Sequence, residues 1–231
     1  MSNKIISFSL WGNNPRYLIG AKRNIEEARR VYPDWKCRFY IDDSVNMDHA
    51  RSLHDMGSEV YKVNNLRRYH GMFWRFLPAS DPTVDVVIVR DADSRVNERE
   101  AAAVSEWLDS DYGFHILRDH PHHVQVILGG LWGAKRGVIP NIGELINRWG
   151  HFNNKGIDQV FLEHAVFPII KNNYLAHDDD NANRQNKLIN VKPFPTHAPL
   201  QLPSLCKLTG TKNFCGSIFD ADDTPGIYWP Y

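Results

Sequence analysis

Two aspartates separated by one residue, Asp91 and Asp93, are the most distinctive chemical feature of the sequence. Because side chains two residues apart on an extended segment point the same way, both carboxylates can face one ion. Two hard oxygen donors that leave other coordination positions open suit Mg²⁺ or Mn²⁺ bound to phosphate oxygens. An acidic turn without a ligand is the alternative. A calcium-binding EF-hand is excluded because residues 91–102 lack its loop glycine and its closing glutamate.

Arginines near the same segment offer partners for an anionic substrate. Arg75 and Arg90 carry planar guanidinium groups, which pair well with the oxygens of a diphosphate. A surface ion pair is the alternative for each of them. Asp158 follows Gly156 and opens a predicted helix, where its carboxylate is either a helix cap or an active-site group.

Three histidines and an aspartate cluster after a predicted strand, at Asp119, His120, His122 and His123. An H-x-H-H pattern can bind zinc, but Pro121 interrupts this one and no partner carboxylate stands at a recognised zinc-site spacing. The pattern therefore favours hydrogen bonding to a substrate, or a structural loop.

Further along the chain, His177 precedes three aspartates, and it is either another metal ligand or part of a solvated acidic loop. Gly129 and Gly130 interrupt a run of large apolar residues, which indicates close approach of another part of the chain or of a ligand. These glycines match neither the dinucleotide-binding fingerprint nor a P-loop.

Alternating strands and helices must position these groups. Hydrophobic periodicity predicts strands over residues 4–10, 37–41, 60–63, 84–89, 114–117 and 124–128, and helices over 18–32, 47–56, 98–108, 141–149 and 158–170. This order indicates an α/β sandwich with a mostly parallel central sheet. The polar clusters at 11–16, 42–43 and 91–93 follow strands, so we expect them at the carboxyl edge of the sheet, where such folds bind ligands. The proline-rich stretch after residue 171 predicts a loop wrapped over the core.

Composition excludes several other classes of protein. The 231 residues carry 27 basic and 27 acidic side chains, so the formal net charge is zero. Neutral balance argues against a dedicated nucleic-acid binder and against a polybasic membrane anchor. No signal peptide or membrane span is evident in the sequence. The three cysteines indicate reduced thiols in a soluble cytoplasmic protein, with a Cys206–Cys215 bridge as the alternative and peripheral membrane association left open.

The order of the motifs resembles a nucleotide-sugar glycosyltransferase of the GT-A fold that carries a D-x-D motif, of a small branch found in viral and bacterial glycan synthesis. The matching segments are 4–10, 39–43, 73–78, 87–95, 127–133 and 156–159, with a late histidine at 177. The resemblance implies one catalytic domain over residues 1–231. Its nucleotide-binding half would be 1–95, and its acceptor-side half, with the C-terminal wrap, 96–231.

The resemblance also implies roles for individual residues. The donor would contact Phe8, Ser9, Leu10, Asp42 or Asp43, Arg75, Arg90, Asp91, Ala92, Gly129 and Gly130. The metal, Mn²⁺ or Mg²⁺, would be held by Asp91, Asp93 and His177, with His197 as the rival to His177. The catalytic pocket would contain Asp158, Asp119 and His120, and Asp158 would be the base if the reaction inverts the anomeric centre.

The reaction so implied is transfer of a hexose, pentose or deoxysugar from a nucleoside diphosphate-sugar, with UDP as the expected nucleotide, to a glycan hydroxyl. Cations aimed at the departing diphosphate stabilise its developing charge. Two alternatives remain open: a metal-dependent phosphohydrolase or nucleotidyltransferase that uses Asp91 and Asp93, and a sugar-nucleotide-binding module without catalysis.

Overall fold

The computed structural model of the chain describes residues 2–63, 71–149, 156–196 and 214–224. His197 and Cys206 lie outside these ranges. The strands are β1 (Lys4–Leu10), β2 (Trp35–Ile41), β3 (Glu59–Lys62), β4 (Val86–Val89), β5 (Phe114–Leu117), β6 (Trp132–Lys135), β7 (Tyr174–His177) and β8 (Val191–Lys192). The helices are α1 (Pro15–Val31), α2 (Met47–Asp55), α3 (Gly71–Trp74), α4 (Glu98–Leu108), α5 (Ile142–Trp149), α6 (Ile157–Phe161) and α7 (Phe167–Ile170).

All eight strands form one sheet in the order β3-β2-β1-β4-β6-β5-β7-β8. Every pairing is parallel except those of β6, which runs antiparallel to both of its neighbours, β4 and β5. This confirms the predicted α/β sandwich with a mostly parallel sheet. Because β1, β2 and β4 are parallel neighbours, the loops that follow them lie side by side at one edge of the sheet.

Apolar side chains cover both faces of the sheet, and the alternation along each strand decides which residue points where. Ile6 and Ile88 pack on the face covered by α1, α2 and α4. Ile5 and Val87 pack on the opposite face, together with residues of α3, α5 and α6. Below, these are called the α1 face and the α6 face of the sheet.

One predicted strand needs correction. Residues 124–128 form an irregular bend rather than a strand, and the strand paired between β4 and β5 is β6. The apolar run ahead of the glycines is buried because it packs into the core from a loop. Within β6, the Trp107 ring packs against Gly133, with a ring carbon 3.0 Å from where a β-carbon would stand.

The C-terminal third also contains strands that the sequence does not predict. β7 and β8 extend the sheet where a polar loop is expected. The predicted helix 158–170 is confirmed as helical, but a π-helical turn, Leu162–Val166, separates α6 from α7. Pro168 has no backbone N–H to donate to the preceding turn, which favours such a widening. In the described part of the chain, none of the helices combines the length and apolarity needed to cross a bilayer.

Candidate active site

One arginine joins two aspartates at the carboxyl edge of the sheet. Nη1 of Arg75 is paired with Asp91, and its Nη2 donates to Oδ2 of Asp158 at 2.9 Å. The backbone N–H of Arg75 donates to the Ser9 hydroxyl at 2.9 Å, which ties the segment after α3 to β1. Arg75 and Asp158 are 9% and 6% exposed at their side chains, whereas Asp91 is 44% exposed. Asp91 is therefore the member of this group that solvent can reach.

Burial and charge shift the protonation of Asp158. Removal from water raises the pKa of the Asp158 carboxyl, and the nearby charge of Asp91 acts in the same direction. The Arg75 guanidinium opposes both effects, since it stabilises the ionised form. The protonation of Asp158 therefore depends on the balance between its burial and its contact with Arg75.

Two glycines form the wall of this site. A β-carbon on Gly129 would overlap Oδ2 of Asp158, and one on Gly130 would overlap Oδ2 of Asp91. The close approach indicated by the sequence is present, and it brings the backbone of residues 129–130 against the carboxylates.

Asp93 lies beside this group with a shielded carboxylate, 14% exposed, and Nη1 of Arg16 stands 4.0 Å from its Oδ2. Burial raises the pKa of Asp93 to about 6, and the charge of Asp91 adds to the shift. Two carboxylates so placed repel each other, and a bound cation relieves that repulsion.

The loop that carries both aspartates is held by α1. Gly20 lies so close to the Ala92 carbonyl that a β-carbon would overlap its oxygen. Asn24, which is fully buried, donates to the carbonyls of Ser94 at 2.8 Å and Ala92 at 3.3 Å. Its Oδ1 accepts from the Val96 N–H at 3.0 Å. The predicted contact of Ala92 with the donor is not supported, since its side chain is buried and its carbonyl faces α1.

Sequence reasoning missed both of these helix residues. A glycine in the middle of a helix costs roughly 1 kcal/mol relative to alanine, which is the signal that could have identified Gly20.

The segment 214–224 lies over the same loop. The Phe219 N–H donates to the Asp93 carbonyl at 2.8 Å, and Asp220 pairs with Arg16. Asp223 accepts from the Arg95 guanidinium at 2.9 Å. The last described segment of the chain thereby contacts both α1 and the aspartate loop.

The donor set fits a divalent cation of the Mg²⁺ or Mn²⁺ type. The described residues contain no group of three His, Cys, Asp or Glu side chains that could hold a metal. Asp91 and Asp93 instead supply two carboxylates, and Mg²⁺ commonly takes one or two carboxylates, completing its shell with water and substrate phosphate.

Arg90 is not part of the site. Because it follows β4 one position before Asp91, its side chain points to the α1 face, away from Arg75. There its Nε donates to Glu100 at 3.0 Å, and Tyr32 donates to the same carboxylate at 3.1 Å. Arg90 is 1% exposed. The predicted contact of Arg90 with the donor is therefore wrong. Arg90 instead forms a buried ion pair with Glu100, which joins the end of β4 to α4.

His177 is not brought to the two aspartates. β7 lies three strands from β4, or about 14 Å, and the His177 side chain points to the α1 face. Its Nδ1 is 2.8 Å from Nε2 of His115, and its Nε2 is 3.1 Å from the Glu106 carboxylate. Since both ring nitrogens are engaged by protein groups, this geometry corrects the assignment of His177 to the metal.

Asp119 and His120 are also held elsewhere. Arg99 donates to both Asp119 oxygens, and the Cys215 N–H donates to Oδ2 at 2.9 Å. His120 accepts from the His122 N–H at 3.1 Å, and burial lowers the pKa of His120 to about 4. The Cys215 bond anchors segment 214–224 to Asp119. The partners of Asp119 and His120 correct the predicted place of both residues in the catalytic pocket.

The predicted nucleoside-contacting residues divide into two groups. Phe8 and Leu10 are 0% and 1% exposed, and they pack in the core of the α1 face, so their predicted side-chain contact with the donor is not supported. Ser9 instead supports Arg75. Asp42 stays at the edge of the sheet, where it accepts from the Ser44 N–H at 3.0 Å. After the neighbouring strand β1, the Trp11 side chain is 44% exposed, and its ring stands edge-on to Trp74 with centroids 6.2 Å apart.

Comparison with known proteins gives structural neighbours only. A scan against protein-family models finds no match, and a search among curated protein sequences finds none. A glycosyltransferase involved in glycosylation of the major capsid of PBCV-1 matches with 15% identity and a TM-score of 0.49, over 85% of this chain and 95% of that one.

Two further similar structures are enzymes of sugar transfer and sugar-phosphoglycerate synthesis. A mannosyltransferase from Pyrobaculum calidifontis, in complex with GDP-Man and Mn²⁺, has 15% identity and a TM-score of 0.49, over 85% of this chain and 58% of that one. Glucosyl-3-phosphoglycerate synthase of Mycobacterium tuberculosis has 12% identity and a TM-score of 0.48, over 90% and 76%. At such values the activity of this chain has to be argued from its own residues.

Proposed function

We propose that this protein is a metal-dependent glycosyltransferase, which moves a sugar from a nucleoside diphosphate-sugar to a hydroxyl of a glycan acceptor. The observation that supports this most strongly is the cluster of Asp91, Arg75 and Asp158 at the carboxyl edge of the sheet, with Asp93 beside it. It combines two oxygen donors for a cation, a guanidinium for a diphosphate and a buried carboxylate.

Each group has a distinct part in the proposed reaction. Asp91 and Asp93 would hold the divalent cation, which when bound neutralises negative charge that develops on the leaving diphosphate. Arg75 donates hydrogen bonds to the same diphosphate from a position that excludes water, where such bonds are strongest. Gly129 and Gly130 leave room beside the backbone for the carboxylates of Asp158 and Asp91.

Asp158 acts next to the sugar rather than at the nucleotide. In an inverting reaction it removes the proton of the acceptor hydroxyl, and its raised pKa brings its basicity closer to neutral pH. In a retaining reaction it orients Arg75 and the donor. Analysis of the anomeric configuration of the product distinguishes these two roles.

The first experiment is a thermal-shift screen of nucleoside diphosphates and nucleotide sugars, beginning with UDP and UDP-sugars, with and without Mn²⁺. We expect stabilisation by one nucleotide that depends on the metal, because ligand binding to the folded state raises the melting temperature. Absence of any metal-dependent stabilisation across all bases would contradict the proposal.

Product analysis with the donor identified in this way then separates the three possible functions. A glycoside and a nucleoside diphosphate are the products of sugar transfer. Release of a nucleoside monophosphate would indicate a phosphohydrolase or nucleotidyltransferase. Binding of the donor without transfer to a broad panel of acceptors, and without slow hydrolysis, would indicate a binding module.

A further inference from the structure

Arg75 is the counter-ion of Asp91 in this structure. Its guanidinium is almost fully buried and bridges two carboxylates, one of them exposed and one buried. The arrangement is asymmetric, because Asp158 lies deeper in the protein than Asp91. The Nε of Arg75 is buried and finds no hydrogen-bond partner among the described residues.

A cation at the aspartate pair competes directly with this contact. Nη1 of Arg75 is paired with Oδ1 of Asp91, while Oδ2 of Asp91 faces the backbone of Gly130. Each carboxylate oxygen of Asp91 therefore has a protein neighbour, although the side chain is 44% exposed. A divalent cation that binds Asp91 together with Asp93 competes with the Arg75 guanidinium for the charge of the same carboxylate.

We infer that the Arg75 guanidinium occupies the cation position at Asp91 when no metal is bound, and that cation binding releases Nη1 of Arg75 while Asp158 retains Nη2. This inference rests on the proposed function, since it takes Asp91 as a metal-binding residue. It adds that Arg75 exchanges partners, so that Arg75 becomes competent to bind phosphate only after the metal has arrived.

The released arginine gains a free donor atom, Nη1, where an anion is needed. Once Nη1 leaves Asp91, it becomes available to diphosphate oxygens, while Asp158 keeps the guanidinium in place. Arginine suits this exchange because its fork of N–H groups can keep one carboxylate while it changes the other partner. Lysine carries all of its donors on one nitrogen, so it lacks two separate donor atoms that could keep one carboxylate and release the other.

The test is calorimetric titration of the whole chain with MnCl₂ alone, without nucleotide. We expect Arg75→Gln to bind Mn²⁺ about tenfold more tightly than the wild type, because the competing cation is gone. That change corresponds to about 1.4 kcal/mol. The double variant Arg75→Gln with Asp91→Asn should lose this gain in Mn²⁺ affinity, because it lacks the Asp91 carboxylate that Arg75→Gln makes available to the metal.

A charge control separates competition at Asp91 from a general effect of net charge. Arg95→Gln removes one positive charge from the same loop, but that guanidinium is paired with Asp223 and not with Asp91. We expect the affinity of Arg95→Gln for Mn²⁺ to stay within about twofold of the wild type. An equal gain in Arg95→Gln and Arg75→Gln would overturn the inference.

The remaining outcomes distinguish this inference from the proposed function. Unchanged or weaker Mn²⁺ binding in Arg75→Gln, with binding lost in Asp91→Asn, would overturn the inference and leave the metal site standing. Failure of every variant and of the wild type to bind Mn²⁺, even with nucleoside diphosphate present, would overturn both.

A second measurement uses the wild-type side chain and does not depend on how the variants fold. In protein labelled with ¹⁵N-arginine, the Arg75 Nε–H resonance is identified by its absence from Arg75→Lys. We expect this resonance to shift during titration with Mg²⁺ and to saturate together with metal binding. A resonance that stays in place while Mg²⁺ saturates the site would overturn the exchange of partners.

Discussion

Replacing Asn24 by alanine removes the side chain that ties the aspartate loop to α1. The Val96 N–H would lose the acceptor that it has in the structure, and a buried unpaired donor costs about 1–3 kcal/mol. The bonds to the carbonyls of Ser94 and Ala92 contribute about 1 kcal/mol each, although the Ser94 carbonyl keeps a second donor in Arg95. We therefore expect Asn24→Ala to lower the free energy of unfolding by about 3 kcal/mol.

Urea denaturation measures this change, with Asn46→Ala as the matched control. Asn46 caps α2 at the surface, where its side chain accepts from the Asp48 N–H at 2.8 Å. Loss of such a cap costs about 1 kcal/mol. With a denaturant slope of about 3 kcal/mol per molar, Asn24→Ala should shift the midpoint by about 1 M and the control by about a third of that.

The same pair of variants tests what the loop does. Because the loop carries both proposed metal-binding carboxylates, Asn24→Ala should weaken Mn²⁺ binding in calorimetry, and Asn46→Ala should not. If Asn24→Ala unfolds at the same urea concentration as Asn46→Ala, the reasoning that one buried amide holds this loop is refuted.

Four further predictions concern the site and its surroundings. Gly130→Ala should weaken Mn²⁺ binding at least tenfold in calorimetry, because the added β-carbon would displace the Asp91 carboxylate. Gly143→Ala is the control and should leave the affinity unchanged, because the nearest atom would lie 3.9 Å from its added β-carbon. Equal affinities of the two variants for Mn²⁺ would contradict this prediction. Asp93→Ala should abolish metal-dependent nucleotide binding in calorimetry without changing the circular dichroism spectrum, and retained affinity would remove Asp93 from the metal site. Asp158→Asn should lower kcat by more than tenfold with little change in donor affinity, and wild-type turnover would exclude Asp158 from the reaction. Burial lowers the pKa of the His115 imidazole well below its ordinary value, so His115 takes up a proton in the unfolded chain before it does in the folded protein as the pH falls. The free energy of unfolding therefore decreases from pH 7 towards pH 5. Urea unfolding of His115→Phe should show a shallower dependence of this free energy on pH, and a dependence identical to that of the wild type would contradict the assignment.

The strongly patterned elements could be predicted from the sequence. The β-branched run before Asp91 and the helical stripe of α1 each carry a period that matches one kind of element. β6 and β7 were missed because their formation depends on neighbouring strands rather than on their own residues. Gly133 and Ala134 give little strand signal alone, but β4 and β5 supply hydrogen-bond partners on both sides.

Within the site, the sequence pattern predicts which residues follow a strand, but it does not by itself show to which face of the sheet each side chain points. Arg90 and Asp91 are adjacent in sequence, and the alternation of side chains along a strand places them on opposite faces of the sheet. His177 follows the same rule, and its distance from the aspartates depends on the order of the strands, which the sequence does not reveal. Asn24 was missed because its partners lie about 70 residues away, and nothing local marks a buried amide as a bridge.

Contacts between Arg16 and Asp220 span 204 positions of the chain. During synthesis at about 5–20 residues per second, Arg16 is made about 10–40 s before its partner. All eight described strands precede Asp220 in the chain, so the core can assemble while the aspartate loop still lacks its covering segment. Completion of the site is therefore a late event in the maturation of the nascent chain, and a ribosome-bound chain halted before residue 214 would carry a sheet without that cover.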